Sequence, residues 1–575
     1  MRYLDKISME QPVTEKSNIL SQSIDIASSK EIISILYACD QEIFNGWDGG
    51  KGVNNETVVE KMHKVANKIS QTIENPKGAV VISGCGTSGR IAFLTARTFN
   101  KYLKMKGKNP CFHYIIAGSD RALFTSIELA EDDPFIGAKT LKEVTEDKTE
   151  VVYIGVTCGF SAPFVAGQLD FCLSHTSKFT PVLMGFNYPH QARNIQIEKW
   201  YKTFLTVVKE LEKAEKLDEA FILNPIVGPE PITGSSRMKS GTTTRILLEI
   251  LSITAIHQFP KSSIPTCISM YESVCGSVYK HTESLAGLMQ LAGDSLTAKG
   301  HVYYLGHSGL GLMAMIDASE CPPTYGASFL DIRGFVTGGF LHLNNNDGDL
   351  SHLGWQYKIS IQDFESDVIP TLTSQDFVVL LGEEVLKEIS PSVFDAPCKK
   401  AYVSFYWEEL PPAELKNVDL NLMVNISVPE LESMVLAPAR DVSKQVLEEV
   451  ACKWVVNSLS TGAHILKGKV CQNMMIDVKV SNNKLFHRAV GIVQKYSHLT
   501  TEESQQCLLK SIYGTDCLTD DHTSASVVSH IGAAANKDLI VPVAILVASL
   551  HCTVEGAKDL IKKQPIIRKL LLVEG

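Results

Sequence analysis

A strand, a glycine-rich loop and a helix follow one another twice in this sequence, about 220 residues apart. "GAVVISGCGTSGRIAFLTART" spans residues 78–98, and "GHVYYLGHSGLGLMAMIDASE" spans residues 300–320. The next strand of each copy also corresponds, since "TEVVYIGVTCGFSAPFVAG" begins at residue 149 and "QDFVVLLGEEVLKEI" begins at residue 375. Apolar runs that alternate with helical patterns predict a parallel sheet covered by helices. The chain is therefore expected to contain a duplicated α/β domain.

The domain limits follow from where these patterns begin and end. A chain of 575 residues is too long for one core. The helical stretch "TTTRILLEILSITAIHQF" is followed by "PKSSIP", which indicates a boundary near residue 265, and strand patterns fade from about residue 440. We predict an N-terminal segment (1–44), a first α/β domain (45–265), a second α/β domain (266–440) and an α-helical C-terminal domain (441–575).

Composition excludes several classes of partner. The chain has 54 basic and 64 acidic residues, a net charge of -10 and no basic run that would follow a nucleic-acid backbone, so no nucleic acid is expected. Its longest apolar stretch, "LIVPVAILVASL", is shorter than the roughly 20 residues of a membrane span. Fourteen scattered cysteines, without a C-x-x-C pair or a secretory signal, indicate reduced thiols and a location in the cytoplasm and nucleus.

The first glycine loop, residues 84–89, fits the G-x-G-x-x-G pattern of dinucleotide-binding proteins. That site also needs an acid about 20 residues further on, and Asp120 lies too far along the chain. The loop interior is Thr87 and Ser88, whose hydroxyls add donors where the dipole of the following helix already favours an anion. The loop therefore favours a terminal phosphate over a dinucleotide.

A second pair of hydroxyls follows the next strand of the same copy. Thr157 and Ser161 precede another helix in "GVTCGFSAPFVAG". Ser161 alone is typical of an ordinary helix N-cap. Because the carboxyl ends of neighbouring parallel strands meet at one edge of a sheet, we expect these hydroxyls and the first loop to bind one phosphate.

Several stretches resemble a known group of proteins. "SGCGTSGRIAF", "AGSDRALFTSIELAEDD" and "GVTCGFSAPFVAGQ" resemble the sugar isomerase (SIS) domain that binds phosphosugars. "NPIVGPEPITGSSRMKSGTTTRILLE" (224–249) is similar to the signature shared by N-acetylmuramic acid 6-phosphate etherases and glucokinase regulatory proteins. "PVTEKSN" (12–18) and "STGAHILKGKVCQNMMIDVKVSNNKLFHRA" (460–489) resemble further parts of this group, so the likeness covers nearly the whole chain.

The tandem layout favours one branch of that group. The etherases carry one such domain per chain and dimerise, whereas the glucokinase regulatory protein family has two in tandem and a helical lid. The resemblance to that family implies an α/β fold with two tandem SIS domains, each a parallel sheet flanked by helices, and an α-helical C-terminal lid. It also implies a monomer in which the two domains pair as the etherase dimer does.

The resemblance supplies a set of candidate ligand-binding residues. Gly86 to Gly89 match the phosphate loop of the family, and Ser161 matches its second phosphate contact. Glu131 matches an acid that contacts the sugar in the regulators and acts as acid/base in the etherases, although within the acidic run 128–133 it could equally be a solvated carboxylate. The full set is Gly86, Thr87, Ser88, Gly89, Glu131, Thr157, Ser161, Glu230, Ser235, Ser236, Glu320 and Lys469.

Glu320 matches the other catalytic acid of the etherases, which follows the helix of the phosphate loop. The equivalent position in the first copy is Thr98, so that copy lacks the acid. Because the two copies should pair, we expect Glu320 to reach the first-domain site beside Glu131. The alternative is that Glu320 only ends its helix ahead of Pro322.

The second copy has lost the features of a phosphate site. Its loop retains Ser308 but no Thr-Ser pair, and Glu383 and Glu384 stand where the first copy has Thr157 to Ser161. Two carboxylates would repel a phosphate. We therefore expect one ligand per chain, at the domain interface.

Other residues are less informative. For Arg237, ligand contact and a structural role in a serine-held loop remain equal alternatives. Lys469 matches a lid lysine that closes on the sugar phosphate in the regulators. His464 has no companion at metal-ligand spacing, so we expect no metal and no cofactor.

Two functions remain open at this stage. The first is a non-catalytic sensor that binds fructose 6-phosphate or fructose 1-phosphate and thereby changes its affinity for glucokinase. The second is an etherase that cleaves the lactyl ether of N-acetylmuramic acid 6-phosphate with Glu131 and Glu320 as the acid/base pair. An aldose–ketose isomerase is a weaker third. The segment 411–441, where the regulators face the kinase, departs from what we expect of the vertebrate proteins.

Overall fold

The computed structural model describes residues 11–50, 52–125, 127–407, 414–433, 436–481, 483–535 and 537–574. Of the segment 411–441 that departs from the family, residues 411–413, 434 and 435 lie outside this description. The chain forms two α/β parts and a helical C-terminal part. The first part contains α1 (Ser29–Asn45), α2 (Glu56–Glu74), β1 (Gly78–Gly84), α3 (Gly86–Met105), β2 (Phe112–Ile116), α4 (Pro134–Val144), β3 (Glu150–Val156), α5 (Pro163–Leu173), β4 (Phe179–Met184), α6 (Phe204–Glu215), β5 (Phe221–Leu223) and α7 (Lys239–His257).

The second α/β part contains α8 (Ser263–Tyr279), α9 (Thr282–Thr297), β6 (Val302–Gly306), α10 (Ser308–Tyr325), β7 (Ile332–Val336), α11 (Phe340–Leu343), α12 (Ile361–Asp363), β8 (Phe377–Leu381), α13 (Ser392–Asp395), β9 (Lys399–Tyr406) and β10 (Leu420–Asn425). It repeats the strands of the first part, but its helices differ: two short ones lie between β7 and β8, and in the described residues none lies between β9 and β10. The remainder contains α14 (Arg440–Leu466), β11 (Val470–Cys471), β12 (Met474–Met475), α15 (Asn483–Ser497), α16 (Thr501–Tyr513), α17 (Asp520–Ser524), α18 (Val527–Ala534), α19 (Ile540–Leu550), α20 (Val554–Lys563) and α21 (Ile567–Glu574).

The two sheets have the same topology. The first has the strand order β2-β1-β3-β4-β5 and the second has β7-β6-β8-β9-β10, with parallel pairing throughout. In both sheets the direction in which successive strands are added reverses at the first strand. β1 lies between β2 and β3, and β6 lies between β7 and β8. The predicted duplication is confirmed, and so is the predicted fold class of two parallel sheets flanked by helices with a helical C-terminal part.

One core is shared between the two sheets. Successive side chains of a strand point to opposite faces, so Val80 and Ile82 of β1 enter a core that also contains Tyr304 of β6. The intervening Val81 packs in a separate core with Tyr153 of β3. The shared core also holds the apolar faces of α7, α8, α9 and α14. The two α/β parts therefore meet face to face through helices, in the manner of a dimer within one chain.

The C-terminal helices have their own core, which begins at Cys471. In contrast, α14 packs on α9 and α10, and its buried side chains belong to the shared core. The predicted limit at residue 441 thus lies at the start of a helix that packs with the two sheets. Among the described residues, no single helix is long and apolar enough to cross a membrane; α19 and α20 reach that length and composition only as a pair bent by 109°.

Candidate functional site

A cavity of about 170 Å³ opens at the carboxyl ends of β1 and β3. This edge of the sheet, beside the reversal of strand order, is where ligands bind in open α/β sheets. The sequence predicted twelve residues from separate parts of the chain, and the structure brings half of them together around this cavity. The predicted residues that line the cavity are Ser88, Glu131, Thr157, Ser161, Glu230 and Ser236.

Two helices point their N-termini at the cavity. One is α3, which begins at Gly86, and the other is α5, which begins at Pro163. The N-cap residues Cys85 and Ala162 do not cap these helices with their own side chains. The backbone N–H groups of a first helical turn and the positive end of the helix dipole favour an anion at such a place. Gly86 has φ +48°, a left-handed conformation that favours glycine.

Hydroxyl groups surround the same point. Ser88 is 7% exposed, and its Oγ lies 3.9 Å from Sγ of Cys158. Thr157 Oγ1 accepts hydrogen bonds from the backbone N–H groups of Ser161 (3.3 Å) and Ala162 (3.4 Å), which fixes the turn before α5. The side chains of Ser88, Thr157 and Ser161 thus lie at the cavity wall, and each hydroxyl group can donate a hydrogen bond to an anion there.

A third helix at the cavity, α7, already has a carboxylate, that of Glu230, bound at its N-terminus. Both carboxylate oxygens of Glu230 accept hydrogen bonds of 2.8 Å, from the backbone N–H groups of Lys239 and Ser240. Burial raises the pKa of Glu230, while these N–H groups and the Lys239 ammonium favour its charged form. Glu230 therefore orders the loop before α7 and leaves the N-termini of α3 and α5 as the places for an external anion.

The N-terminal segment forms part of the cavity wall, which the sequence reasoning missed. Thr14 and Glu15 line the cavity. Asn187 holds this segment: its Oδ1 accepts from Thr14 N (2.9 Å), and its Nδ2 donates to Thr14 Oγ1 and to Gly159 O (both 3.1 Å). The resemblance of "PVTEKSN" (12–18) to the family was the available signal. A stretch that lies outside both predicted sheets and still resembles the family is expected to contact another part of the protein.

Glu320 reaches across from the second α/β part to the first phosphate loop, as expected. The Thr87 side chain lies close enough to its carboxylate to favour the charged form, and Arg90 Nη1 lies 3.7 Å from its Oε1. The side chain is 3% exposed, and burial raises its pKa. However, Glu320 is not one of the described residues that line the cavity. It lies against the loop beside Arg90, whose charged form is favoured by both Glu320 and Glu131, and the meeting of these two acids at one ligand stays a prediction.

Some residues of the loop 233–239 line the cavity, and others are buried away from it. Ser236 lines the cavity, whereas Ser235 is 4% exposed and donates its N–H to Ile232 O at 2.9 Å. Arg237 is also buried, and its Nη1 lies 2.8 Å from Asp317 Oδ1. The structure thus supports the structural alternative for Arg237, which joins the loop before α7 to α10.

Lys469 does not occupy the place that the resemblance implied. It is 7% exposed and pairs with Asp477, at the base of the hairpin formed by β11 and β12. Its N–H donates to His464 O at 3.0 Å, and its carbonyl accepts from Ile476 N at 3.1 Å. In the part of the chain that the structure describes, Lys469 does not line the cavity. Its ammonium group is occupied by the ion pair, because the hairpin of β11 and β12 brings Asp477 back to the side on which Lys469 lies.

The equivalent edge of the second sheet holds a different cavity, of about 270 Å³. Its walls include Glu383, Glu384 and Glu448, and Glu449 lies against the start of α10. A methyl group at Gly309 would be 1.9 Å from Glu449 Oε1, so this carboxylate lies against the first turn of α10. The acidic surroundings agree with the predicted loss of a phosphate site from the second copy.

Comparison with known proteins connects these features to one family. Three family models match the chain: "Glucokinase regulatory protein N-terminal SIS domain" over residues 57–173, "Glucokinase regulatory protein, second SIS domain" over residues 279–401, and "C-terminal lid domain of glucokinase regulatory protein" over residues 472–571. The matched ranges fall in the first sheet, the second sheet and the separate C-terminal core.

Relatives extend this likeness over the whole chain. A glucokinase regulatory protein of Xenopus laevis is 37% identical over 574 residues, which cover 97% of this chain and 92% of the relative. The Homo sapiens protein of the same name is 36% identical over 577 residues, with coverage of 97% and 91%. An N-acetylmuramic acid 6-phosphate etherase of Aliivibrio fischeri (strain MJ11) is 26% identical over 252 residues, only 44% of this chain and 71% of the etherase. The chain therefore belongs to the glucokinase regulatory protein family.

Proposed function

We propose that this protein is a non-catalytic sensor of fructose 6-phosphate or fructose 1-phosphate, and that ligand occupancy sets its affinity for glucokinase. The observation that carries the proposal is that the N-termini of α3 and α5 and the hydroxyls of Ser88, Thr157 and Ser161 converge on one cavity. Membership of a family of regulatory proteins supports the partner. A ligand changes partner affinity only by its differential affinity for the free and the bound forms.

The charges in the cavity define how a sugar phosphate would lie. Its phosphate belongs at the N-termini of α3 and α5, because the dipoles and hydroxyls there favour negative charge. Glu15 and Glu131 line the cavity as well, and a carboxylate accepts hydrogen bonds from sugar hydroxyls but repels phosphate. The sugar hydroxyls are therefore directed towards Glu15 and Glu131, of which Glu131 lies beside the start of α3, with its Oε1 3.7 Å from where a methyl group at Gly86 would stand.

The position of Glu320 favours a sensor over an etherase. Elimination of lactate needs one group that takes a proton and another that gives one, both within hydrogen-bond reach of the substrate. Glu131 lines the cavity, whereas Glu320 is buried against the phosphate loop beside Thr87 and Arg90. Only one carboxylate of the presumed pair therefore stands where a substrate would bind.

A direct assay separates the two functions. Calorimetry with both fructose phosphates measures binding, and lactate release from N-acetylmuramic acid 6-phosphate measures turnover. We expect binding without lactate release, and an affinity for purified glucokinase that changes when fructose phosphate is added. Glu131→Gln and Glu320→Gln are expected to retain much of the binding, because glutamine keeps an acceptor oxygen but cannot transfer the proton. Lactate release that disappears in either variant would establish the etherase instead.

The phosphate contacts give a second expected result. Ser88→Ala and Ser161→Ala should each weaken binding of fructose phosphate by roughly 1.5–3 kcal/mol, the range for a hydrogen bond to a charged group. Ser174→Ala is the matched control, since Ser174 lies at the other end of α5 and its exposed Oγ donates only to Asp170 O among the described contacts. Unchanged affinity in both cavity variants would disprove the assignment of these hydroxyls.

A further inference from the structure

Asn473, in the turn between β11 and β12, uses every hydrogen-bonding position of its side chain. Its Nδ2 donates to Asn18 O (2.9 Å) and to Ser21 Oγ (3.0 Å). Its Oδ1 accepts from Ser17 Oγ (2.9 Å) and from Thr233 Oγ1 (3.2 Å). The residue is 1% exposed. A primary amide has two donor hydrogens and two acceptor lone pairs, so this side chain is saturated by two segments that are far apart in sequence.

Both of these segments continue directly into the wall of the cavity. Ser17 and its neighbour Asn18 follow Thr14 and Glu15, which line the cavity. Thr233, whose backbone N–H also donates to Asn473 O at 2.8 Å, precedes Gly234 and Ser236, which line it too. Asn473 itself is not part of that wall among the described residues. It therefore acts on the cavity only through the segments that it holds.

The C-terminal domain adds further contacts to the same N-terminal segment. Gln472 N donates to Asp25 Oδ2 at 2.7 Å, and Arg568 of α21 lies 3.1 Å from Asp25 Oδ1. Arg568 also donates to Gln22 O at 2.9 Å. The same set of contacts, with Asn473 at its centre, thus fixes both the position of the C-terminal domain and that of residues 14–25.

The phosphate end of the cavity lies outside this set of contacts. Within the described residues, the hydrogen bonds of the hairpin 470–475 go to neither of the loops 84–89 and 157–162. The C-terminal hairpin therefore holds the segments that carry Glu15 and Ser236, the first sheet holds the phosphate loops, and Asn187 links the two ends through Thr14 and Gly159.

We propose that Asn473 is a positioning residue for the sugar end of the cavity, so that the seating of the C-terminal domain determines affinity for the sugar but not for the phosphate. This inference rests on the proposed binding of fructose phosphate. Conversely, a sugar phosphate that bridges the phosphate loops and Glu15 stabilises the seated hairpin, because linkage between two sites is reciprocal.

The test compares Asn473→Ala with the wild-type full-length chain and uses two probes, fructose 6-phosphate and inorganic phosphate. We expect the variant to bind fructose 6-phosphate on the order of tenfold more weakly, since the ligand must then order the loosened segments itself. Binding of inorganic phosphate, measured by NMR titration, should be unchanged. In the wild type, fructose 6-phosphate should slow amide hydrogen exchange at Cys471 to Met475; in the variant this protection should be lost.

Control variants separate positioning from general damage. Asn421→Ala removes an amide with two backbone hydrogen bonds, to Leu415, on the second sheet and should change neither probe. If Asn473→Ala does not fold, Thr233→Val removes one of the bonds to Asn473 and should give the same selective loss in smaller degree. Equal loss of both probes, or hairpin protection that persists in the variant, would overturn the inference. A wild type that binds neither fructose phosphate would contradict the proposed function itself.

Discussion

Replacing Arg237 by leucine is expected to lower the free energy of unfolding by about 3–5 kcal/mol, the range for removing one partner of a buried ion pair. Arg237 Nη1 lies 2.8 Å from Asp317 Oδ1, and both side chains are almost fully buried. The loss is large because Asp317 would keep its charge, or take up a proton, without its cation.

The surroundings of the pair explain why no other group replaces Arg237. Asp317 Oδ1 also accepts from Asn457 Nδ2 (2.6 Å) and Ser460 Oγ (3.0 Å), which are neutral donors on α14. Burial raises the pKa of Asp317, and it lowers that of Lys453, a nearby cation, to about 8. Arg237 is thus the principal cation at a point where the loop before α7, the helix α10 and the helix α14 meet.

Urea unfolding of the full chain, followed by tryptophan fluorescence, measures this effect. Arg333→Leu is a matched control, because Arg333 donates to the backbone carbonyls of Trp355 and Lys358 at the surface, and it should cost far less. The double variant Arg237→Leu with Asp317→Leu should recover most of the lost stability, since an apolar pair leaves no uncompensated charge. An Arg237→Leu protein as stable as the wild type would show that the pair contributes little.

The fold could be predicted because its signals are local. In each copy, a buried strand, a glycine loop and a largely buried helix occupy about 20 consecutive residues, and both sheets have the same strand order. The phosphate loops were predictable for the same reason. Ser88 and Ser161 each follow a strand directly, and parallel strands end at one edge, so topology alone brings the two hydroxyls together.

The remaining site residues depend on contacts that no local pattern encodes. Thr14 reaches the cavity through Asn187, 173 positions away in sequence. Glu449 reaches the start of α10 from a helix that sequence patterns assigned to the lid. The approach of Glu320 to the first phosphate loop was predictable from the pairing of the two domains. Its contact with Arg90, at 3.7 Å, was not predictable, because Arg90 had no recognised role in the sequence.

Lys469→Met is expected to destabilise the C-terminal domain by about 3 kcal/mol, the lower end of the range for a broken buried pair. The resemblance predicted a lid lysine whose removal lowers ligand affinity and leaves the fold intact. In the structure, Lys469 and Asp477 form an ion pair in which each side chain is 9% exposed. Methionine keeps most of the side-chain length but leaves the charge of Asp477 without a partner, so the hairpin should loosen before any ligand is added.

A neighbouring lysine provides the matched control for this variant. Lys467 pairs with Asp331 at 2.8 Å, but its side chain is 25% exposed, so water can replace much of the interaction and Lys467→Met should cost about 1 kcal/mol or less. Thermal unfolding and calorimetry with fructose 6-phosphate should be measured on both variants. If Lys469→Met unfolds at the wild-type temperature and yet loses ligand affinity, Lys469 contacts the ligand as the resemblance implied. If stability falls, and affinity falls only to the extent that the hairpin loosens, Lys469 acts through Asp477 on the segment that Asn473 holds.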